Sequence, residues 1–345
     1  AQRRDPSLAA EQALHFGSPI LTSGLTLIED DCFYYRGQDA LQLARSRTVE
    51  EVASFLWSDD WSPITLPELP DPLQAEEPRV APLSPLVRFQ LGLALAEATD
   101  LAGYDFRPQA VRATGARILS LLTTIASGTS MDGTLVSTLL GGWRIGLDGA
   151  ERLLSAALIL CADHELNVSS FTARCVASAG SSPYQVVLAG LAALQGSKHG
   201  GLTARTASFL QEVGEPRRAR ASVGEKLKRG EAIPGFGHPL YVNGDPRARL
   251  LLHLMHEAAP DSPALLLAQA IRRQTIELVG LAPTIDFALA TLARLLGRPR
   301  EDGLTIFALG RTIGWMGHAL EQYQLGTIIR PRARYEGPLP HTAID

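Results

Sequence analysis

The chain has 345 residues, 46% hydrophobic and 20% charged, enough for one large domain or two intimate ones around a packed core. A net charge of −4 and a pI of about 6.1 argue against a nucleic-acid surface or an anionic membrane partner. Leu and Ala dominate and aromatics make up 6%, which points to a mainly α-helical protein.

Ala1-Gln2-Arg3-Arg4-Asp5 lacks the apolar segment of a secretory signal, and an opening residue other than Met reads as a truncated or processed start. Gly24 to Ile28 and Cys32 to Tyr35 predict a small N-terminal β-hairpin about a Glu29-Asp30-Asp31 turn. A helical pattern follows Asp39 through Leu41, Leu43 and Ala44. Thr48-Val49-Glu50-Glu51 predicts a capping box, with the Thr48 oxygen accepting an orphan N–H and Glu51 reaching back, for a helix to about Trp57. Residues 61–84 are Pro-rich and read as loop. Pro85 and Pro108 each open a long helix, since proline tolerates the first helical position. Gly149 leads into a helix through Cys161. Asn167 or Ser169 caps another that ends near Gly180, and Pro183 to Leu194 and Gly201 to about Val213 follow. The uncharged run 175–197 contains Gly180, Pro183 and Gln185, so it reads as buried helix, not as a membrane span. The charged stretch 214–230 reads as solvated loop and helix. Further helices are expected at 246–258, 262–280, about 287–295 and Ile306 to Tyr323, before an extended, Pro-rich end. Cys32, Cys161 and Cys175 have neither disulfide nor zinc spacing and are expected as buried free thiols in a reducing, cytoplasmic setting.

Three histidines lie in unusual contexts: His164 just past an apolar helix, His199 in Gly196-Ser197-Lys198-His199-Gly200-Gly201, and His238 in Gly235-Phe236-Gly237-His238. None has a second His three or four residues away on one face, so no metal site is expected. Glycine-rich loops let an imidazole approach a substrate, and its pKa suits acid–base work. Asp286 is the one acid in the apolar run Ala282 to Ala290. It reads either as a helix N-cap after Pro283 or as a desolvated general base. Arg247, Arg311 and Arg330 sit beside a proline or on an apolar helix and each needs an anion, either a protein carboxylate or a di- or tricarboxylate ligand. No dinucleotide fingerprint, P-loop or serine-hydrolase elbow is present, which argues against nucleotide-dependent redox, kinase-like and serine-hydrolase chemistry.

Taken in order, Asp163-His164-Glu165-Leu166-Asn167-Val168-Ser169, Lys198-His199-Gly200-Gly201, Gly235-Phe236-Gly237-His238 with Asp245-Pro246-Arg247, Ile285-Asp286-Phe287, Arg311 to Gln322 and Arg330-Pro331 resemble the citrate synthase family, as does the N-terminal hairpin with its first helix. The resemblance implies a mainly α, two-domain helical fold. The large domain would hold residues 1–199 and 292–345, and a small domain, 200–291, would close over substrate. It implies a homodimer without a cofactor. Asp286 would take a proton from the acetyl-CoA methyl group, His199 would donate to the enol oxygen, and His238 would polarise the ketone of oxaloacetate. His164, Arg247, Arg311 and, from the neighbouring subunit, Arg330 would hold carboxylates. The backbone of Pro234, Gly235, Phe236 and Gly237 would run along the CoA adenine. Lys198, Pro239 and Pro283-Thr284 depart from the family's habit, and Lys198 would favour a neutral His199 if it pointed inward. A 2-methylcitrate synthase using propionyl-CoA is the nearest alternative, because one methylene is worth only about 1–3 kcal/mol of discrimination. Citryl-CoA cleavage is a weaker one, and a dicarboxylate- or CoA-sensing protein on the same scaffold is the alternative from another class.

Overall fold

A computed structural model describes residues 21–338 apart from Asp30, Val242 and Arg334. The opening five residues and the last part of the Pro-rich end therefore lie outside the described residues, as does the middle of the predicted hairpin turn. The strands Thr26–Glu29 (β1), Cys32–Tyr35 (β2) and Gln38–Asp39 (β3) form one antiparallel sheet in that order, with Leu27 opposite Tyr34 and Tyr35 opposite Gln38. The hairpin is thus extended by a third, two-residue strand.

Helices build the rest. The first half carries Ala40–Ser46 (α1), Val49–Ser58 (α2), Glu77–Val80 (α3), Pro85–Glu97 (α4), Pro108–Ser127 (α5), Leu135–Trp143 (α6), Ala150–Cys161 (α7), Val168–Ser178 (α8) and Pro183–Leu194 (α9). The second half carries Gly201–Val213 (α10), Ala219–Lys228 (α11), Pro246–Ala258 (α12), Pro263–Val279 (α13), Ile285–Leu295 (α14) and Asp302–Leu325 (α15). The capping box at Thr48 is present: its side chain accepts the Glu51 N–H while Glu51 accepts the Thr48 N–H. Two helices were not read from the sequence: α3 within the Pro-rich loop, and α6.

The main core gathers around α15, which is buried from Asp302 to Leu320 except at Leu304. Two glycines explain how close this helix comes to α7. A Cβ on Gly310 would lie 2.5 Å from the Leu158 carbonyl, and one on Gly314 would lie 2.3 Å from that of Ala162. Only glycine permits that approach, and it sets Arg311 against the C-terminal end of α7. A second, smaller cluster of buried apolar residues draws only on positions between Ala207 and Ala290, among them Phe209, Val213, Phe236, Ile271 and Phe287. Helix α12 is shared out differently, because its buried Ala248, Leu251, Leu254 and Met255 belong to the main core. Cys161 is buried and Cys175 half-buried, but Cys32 is exposed, since its position on the short β2 faces outward; the expectation of three buried thiols holds only in part. Among the described residues no helix is long and apolar enough to cross a membrane.

Candidate active site

His164 follows α7 on a loop whose neighbour, Glu165, has φ 52°, a left-handed conformation that non-glycine residues adopt uncommonly. The loop is held by Asp163, which is fully buried: its carboxylate accepts from Thr26 Oγ1 at 2.6 Å and meets His318 Nε2 at 3.1 Å. His164 is buried, and its Nε2 lies 2.7 Å from the Tyr241 hydroxyl. Its ring stands edge-on to that of His238, 5.7 Å away. Burial, and then the nearby Arg247 and Arg311, push its pKa well below the usual imidazole value.

His238 is half-buried, and its Nδ1 accepts the backbone N–H of Leu240 at 3.1 Å. A ring whose Nδ1 accepts carries its proton on Nε2, so the neutral form presents a donor there. Burial and then Arg247 push its pKa down to about 4, which keeps it neutral at physiological pH.

His199 sits at the N-terminal end of α10, where its Nε2 lies 2.9 Å from Ser169 Oγ. Ser169 donates to Asn167 Oδ1 at 2.7 Å and accepts from Trp315 Nε1 at 3.2 Å. Asn167 is fixed in that orientation because its Oδ1 also caps α8 through the N–H groups of Ser169 and Ser170. In this arrangement Ser169 accepts from His199 Nε2. In the other neutral tautomer, with the imidazole proton on Nδ1, Nε2 accepts and the Ser169 hydroxyl turns from Asn167 to donate to it. Burial, then Arg311 and Arg247, push the His199 pKa down to about 4. Lys198 is exposed, so the neutral imidazole owes nothing to it.

Asp286 occupies the first turn of α14, not its cap; the N-cap is Thr284. Thr203, one turn along α10 from His199, donates to Asp286 Oδ1 at 2.5 Å, and the Thr284 hydroxyl lies 3.3 Å from Oδ2. Burial raises the Asp286 pKa above the usual carboxylate value, and the Thr203 hydrogen bond and Arg247 oppose that only in part. Asp286 as a residue is half-buried.

The strap carrying Asp286 is tied to the loop carrying His238. Phe236 and Pro283 form an antiparallel bridge, Gly237 donates to the Ala282 carbonyl at 2.9 Å, and Thr284 donates to that of Gly235 at 2.8 Å. Gly235 has φ 81°, and a Cβ there would meet Thr206 at 2.7 Å. Its first reason to be glycine is therefore packing, not room for a ligand. Pro234 is half-buried, Phe236 is buried against Phe287, and Gly237 is exposed.

Arg247 is 3% exposed and makes a bidentate pair with Asp245, Nε to Oδ1 and Nη2 to Oδ2, each at 2.9 Å. Asp245 also accepts the N–H of Ile285, at the start of α14. Arg311 is 1% exposed; its Nε donates to the Cys161 carbonyl at 2.7 Å, while its Nη2 is buried without a partner among the described residues. Burial lowers its pKa, and Asp163 opposes this. The structure thus brings His164, His199, His238, Asp286, Arg247 and Arg311 together. Arg330 is exposed on the segment after α15 and pairs with none of them. Sequence reasoning assigned no role to Thr203, Tyr241 or Asp245, and read Ser169 only as an alternative to Asn167 as the cap of α8, which is Asn167. A polar residue one turn past His199 and an acid two positions before Arg247 were the available signals. Among the described residues no cluster suits a metal ion.

A family model described as citrate synthase, C-terminal domain, matches residues 15–332. Citrate synthase 2 of Bacillus subtilis is 39% identical over 185 residues, 53% of this chain and 50% of that protein. 2-Methylcitrate synthase 1 of Corynebacterium glutamicum is 31% identical over 184 residues, 52% of this chain and 48% of that protein. The chain spans about half the length of these curated relatives. The crystal structure of citrate synthase from Thermotoga maritima superposes with a TM-score of 0.75 at 26% identity, covering 95% of this chain and 96% of that one.

Proposed function

Because the chain belongs to the citrate synthase family, we propose that it condenses acetyl-CoA with oxaloacetate to citrate and free CoA. The observation that carries this reading is the pairing of two kinds of group in one site. Neutral imidazoles and a carboxylate of raised basicity share the site with two buried arginines, Arg247 and Arg311, and among the described residues the Nη2 of Arg311 has no protein partner. A site that only held a dicarboxylate would need the arginines and not the base.

Asp286 takes a proton from the acetyl-CoA methyl carbon. A carboxylate can do this only if the enol oxygen is stabilised as it forms, and His199 supplies that hydrogen bond from Nδ1 once Ser169 turns its proton toward Nε2. The enol carbon attacks the ketone carbon of oxaloacetate. His238 Nε2–H bonds the ketone oxygen, which becomes the hydroxyl of citryl-CoA. Water then cleaves the thioester, releasing CoA. Arg311, the free edge of Arg247 and His164 hold the oxaloacetate carboxylates. Arg330 reaches the site of a second copy in a homodimer, which accounts for its distance from its own. Residues 200–291 act as the small domain that closes and excludes water until the carbon–carbon bond has formed. The loop Pro234–Gly237 lies along the CoA adenine. No cofactor takes part, and the enzyme works in the cytoplasm.

Propionyl-CoA as substrate, giving 2-methylcitrate, is the second reading, favoured by the likeness to the Corynebacterium protein. Thiol release with acetyl-CoA or propionyl-CoA plus oxaloacetate separates the two by kcat/KM. No release with either, alongside tight oxaloacetate binding, would refute the enzyme reading in favour of a sensor.

A further inference from the structure

One cavity, ≈ 650 Å³, is not lined by His164, His199, His238, Asp286 or Arg311. It lies between α12 and α13, with the strap that carries Asp286 as one wall. Leu252, Leu265, Ile276 and Phe287 give it an apolar lining, and Pro283 closes one side. Its size is that of small-molecule sites, which are mostly apolar with a few polar groups that fix orientation.

Two of the polar groups in its lining are guanidinium groups, Arg249 and Arg272, beside Asn243, His256 and Gln269. Arg249 and His253 project from α12, and Arg272 projects from α13. The ion pairs of α12 engage Arg247, His253 and Glu257, and among the described residues neither Arg249 nor Arg272 has a carboxylate partner. Asp245 is the one acid lining the cavity, and Arg247 neutralises it. Arg249 also lines a neighbouring cavity of ≈ 320 Å³ with Arg45 and Asp39. Two unpaired guanidinium groups beside an apolar pit match a ligand that combines an anionic group with an apolar body.

We propose that this cavity is a second small-molecule site, separate from the reacting centre, for an organic phosphate or carboxylate whose apolar body fills the pit. The probe is 1-anilinonaphthalene-8-sulfonate, titrated into the whole chain and followed by fluorescence. The expected result is one saturable site per chain, unaffected by saturating oxaloacetate. Binding should weaken at least tenfold in the Arg249→Ala/Arg272→Ala variant and be lost in Gln269→Trp, which fills the cavity from an exposed lining position. All three positions are exposed, so both variants should melt with the parent. Displacement of the dye by AMP identifies a phosphate ligand, and displacement by octanoate a carboxylate one. Dye binding that survives both variants, that is competed by oxaloacetate, or that neither anion displaces would overturn the proposal.

Discussion

The backbone N–H of Leu240 points at His238 Nδ1 from two residues away, 3.1 Å distant, and so decides which nitrogen of that ring can donate. With Nδ1 accepting and the ring neutral, the only N–H left is at Nε2. A glutamine can set an amide N–H near that position, whereas an asparagine cannot reach it. His238→Ala and His238→Asn should each lower kcat by about 10²–10³, the typical loss for an oxyanion donor. His238→Gln should retain roughly tenfold more, on general transition-state arithmetic. Thiol release at saturating substrates measures this, and equal losses in Gln and Ala would rule out the donor role.

Thr203 holds the Asp286 carboxyl in place and acidifies it. Its hydrogen bond to Asp286 Oδ1 favours the ionised form, against the burial that raises the pKa. Thr203→Val should raise the Asp286 pKa further, so the acidic limb of the kcat profile should move to higher pH. Activity at neutral pH should fall about tenfold and stability by about 1 kcal/mol, the usual worth of one such bond. A lower kcat with an unmoved acidic limb would mean that Thr203 only packs.

Asp245 joins Arg247 to the helix of Asp286, since it pairs with the guanidinium and also accepts the Ile285 N–H that opens that helix. Both partners of the ion pair are almost fully buried. Removing one leaves an unpaired buried charge, so Asp245→Ala should cost about 3–5 kcal/mol in urea unfolding. The double variant Asp245→Leu/Arg247→Leu should recover part of that stability while losing activity. A double variant no more stable than Asp245→Ala would mean that the pair is not the source of the loss.

The frame of the molecule is legible in the sequence where a local rule coincides with a long apolar pattern. Pro85, Pro108 and Pro183 each occupy the first turn of a helix, and Asn167 caps another. Helix α6 is not legible, because Gly141-Gly142 weakens the helical signal. The reason for Gly142 is tertiary: a Cβ there would lie 2.4 Å from the Ser127 carbonyl. The site was legible as a set of residue types, and His199, His238 and Asp286 do converge. Their protonation states were not, because these follow from contacts far apart in the chain. Ser169 is 30 residues from His199, and Thr203 is 83 from Asp286. Nor could the sequence distinguish Asp286 as a cap from Asp286 within the first turn of the helix. The packing of Thr284 against Gly235 settles that.

Stability should fall as pH drops from about 6.5 towards 4. In the folded chain His199 and His238 titrate at about 4, and His164 also lies well below 6.5. Across that window the unfolded chain binds more protons, so the unfolding free energy rises with pH and is lost as pH falls. Asp286 acts in the opposite direction: its folded pKa lies above 3.8, so the folded chain holds its proton to higher pH and this one carboxyl favours acid. Burial raises Glu165 and Asp302 in the same way, but His199 and His238 are displaced to about 4 and His164 well below 6.5, so the imidazoles set the sign and acid brings a net loss. The melting temperature measured between pH 7 and 4.5 should fall, and less steeply in His199→Gln and His238→Gln. Parallel slopes in parent and variants would remove these residues as the cause.

Arg311 is built to wait for an anion. Its Nε is satisfied by the Cys161 carbonyl, its Nη2 is buried and unpaired, and burial lowers its pKa. A cation in that state is destabilising until a carboxylate arrives, because its desolvation is not fully offset by the protein. Arg311→Met, which keeps the length and removes the charge, should therefore melt at or above the temperature of the parent without ligand. Oxaloacetate should separate the two proteins. At a hundred times its dissociation constant it should stabilise the parent by about 2.7 kcal/mol through mass action. The variant should gain almost nothing at the same concentration. If Arg311 were instead a structural cation, Arg311→Met would melt well below the parent, and oxaloacetate would raise both melting temperatures equally.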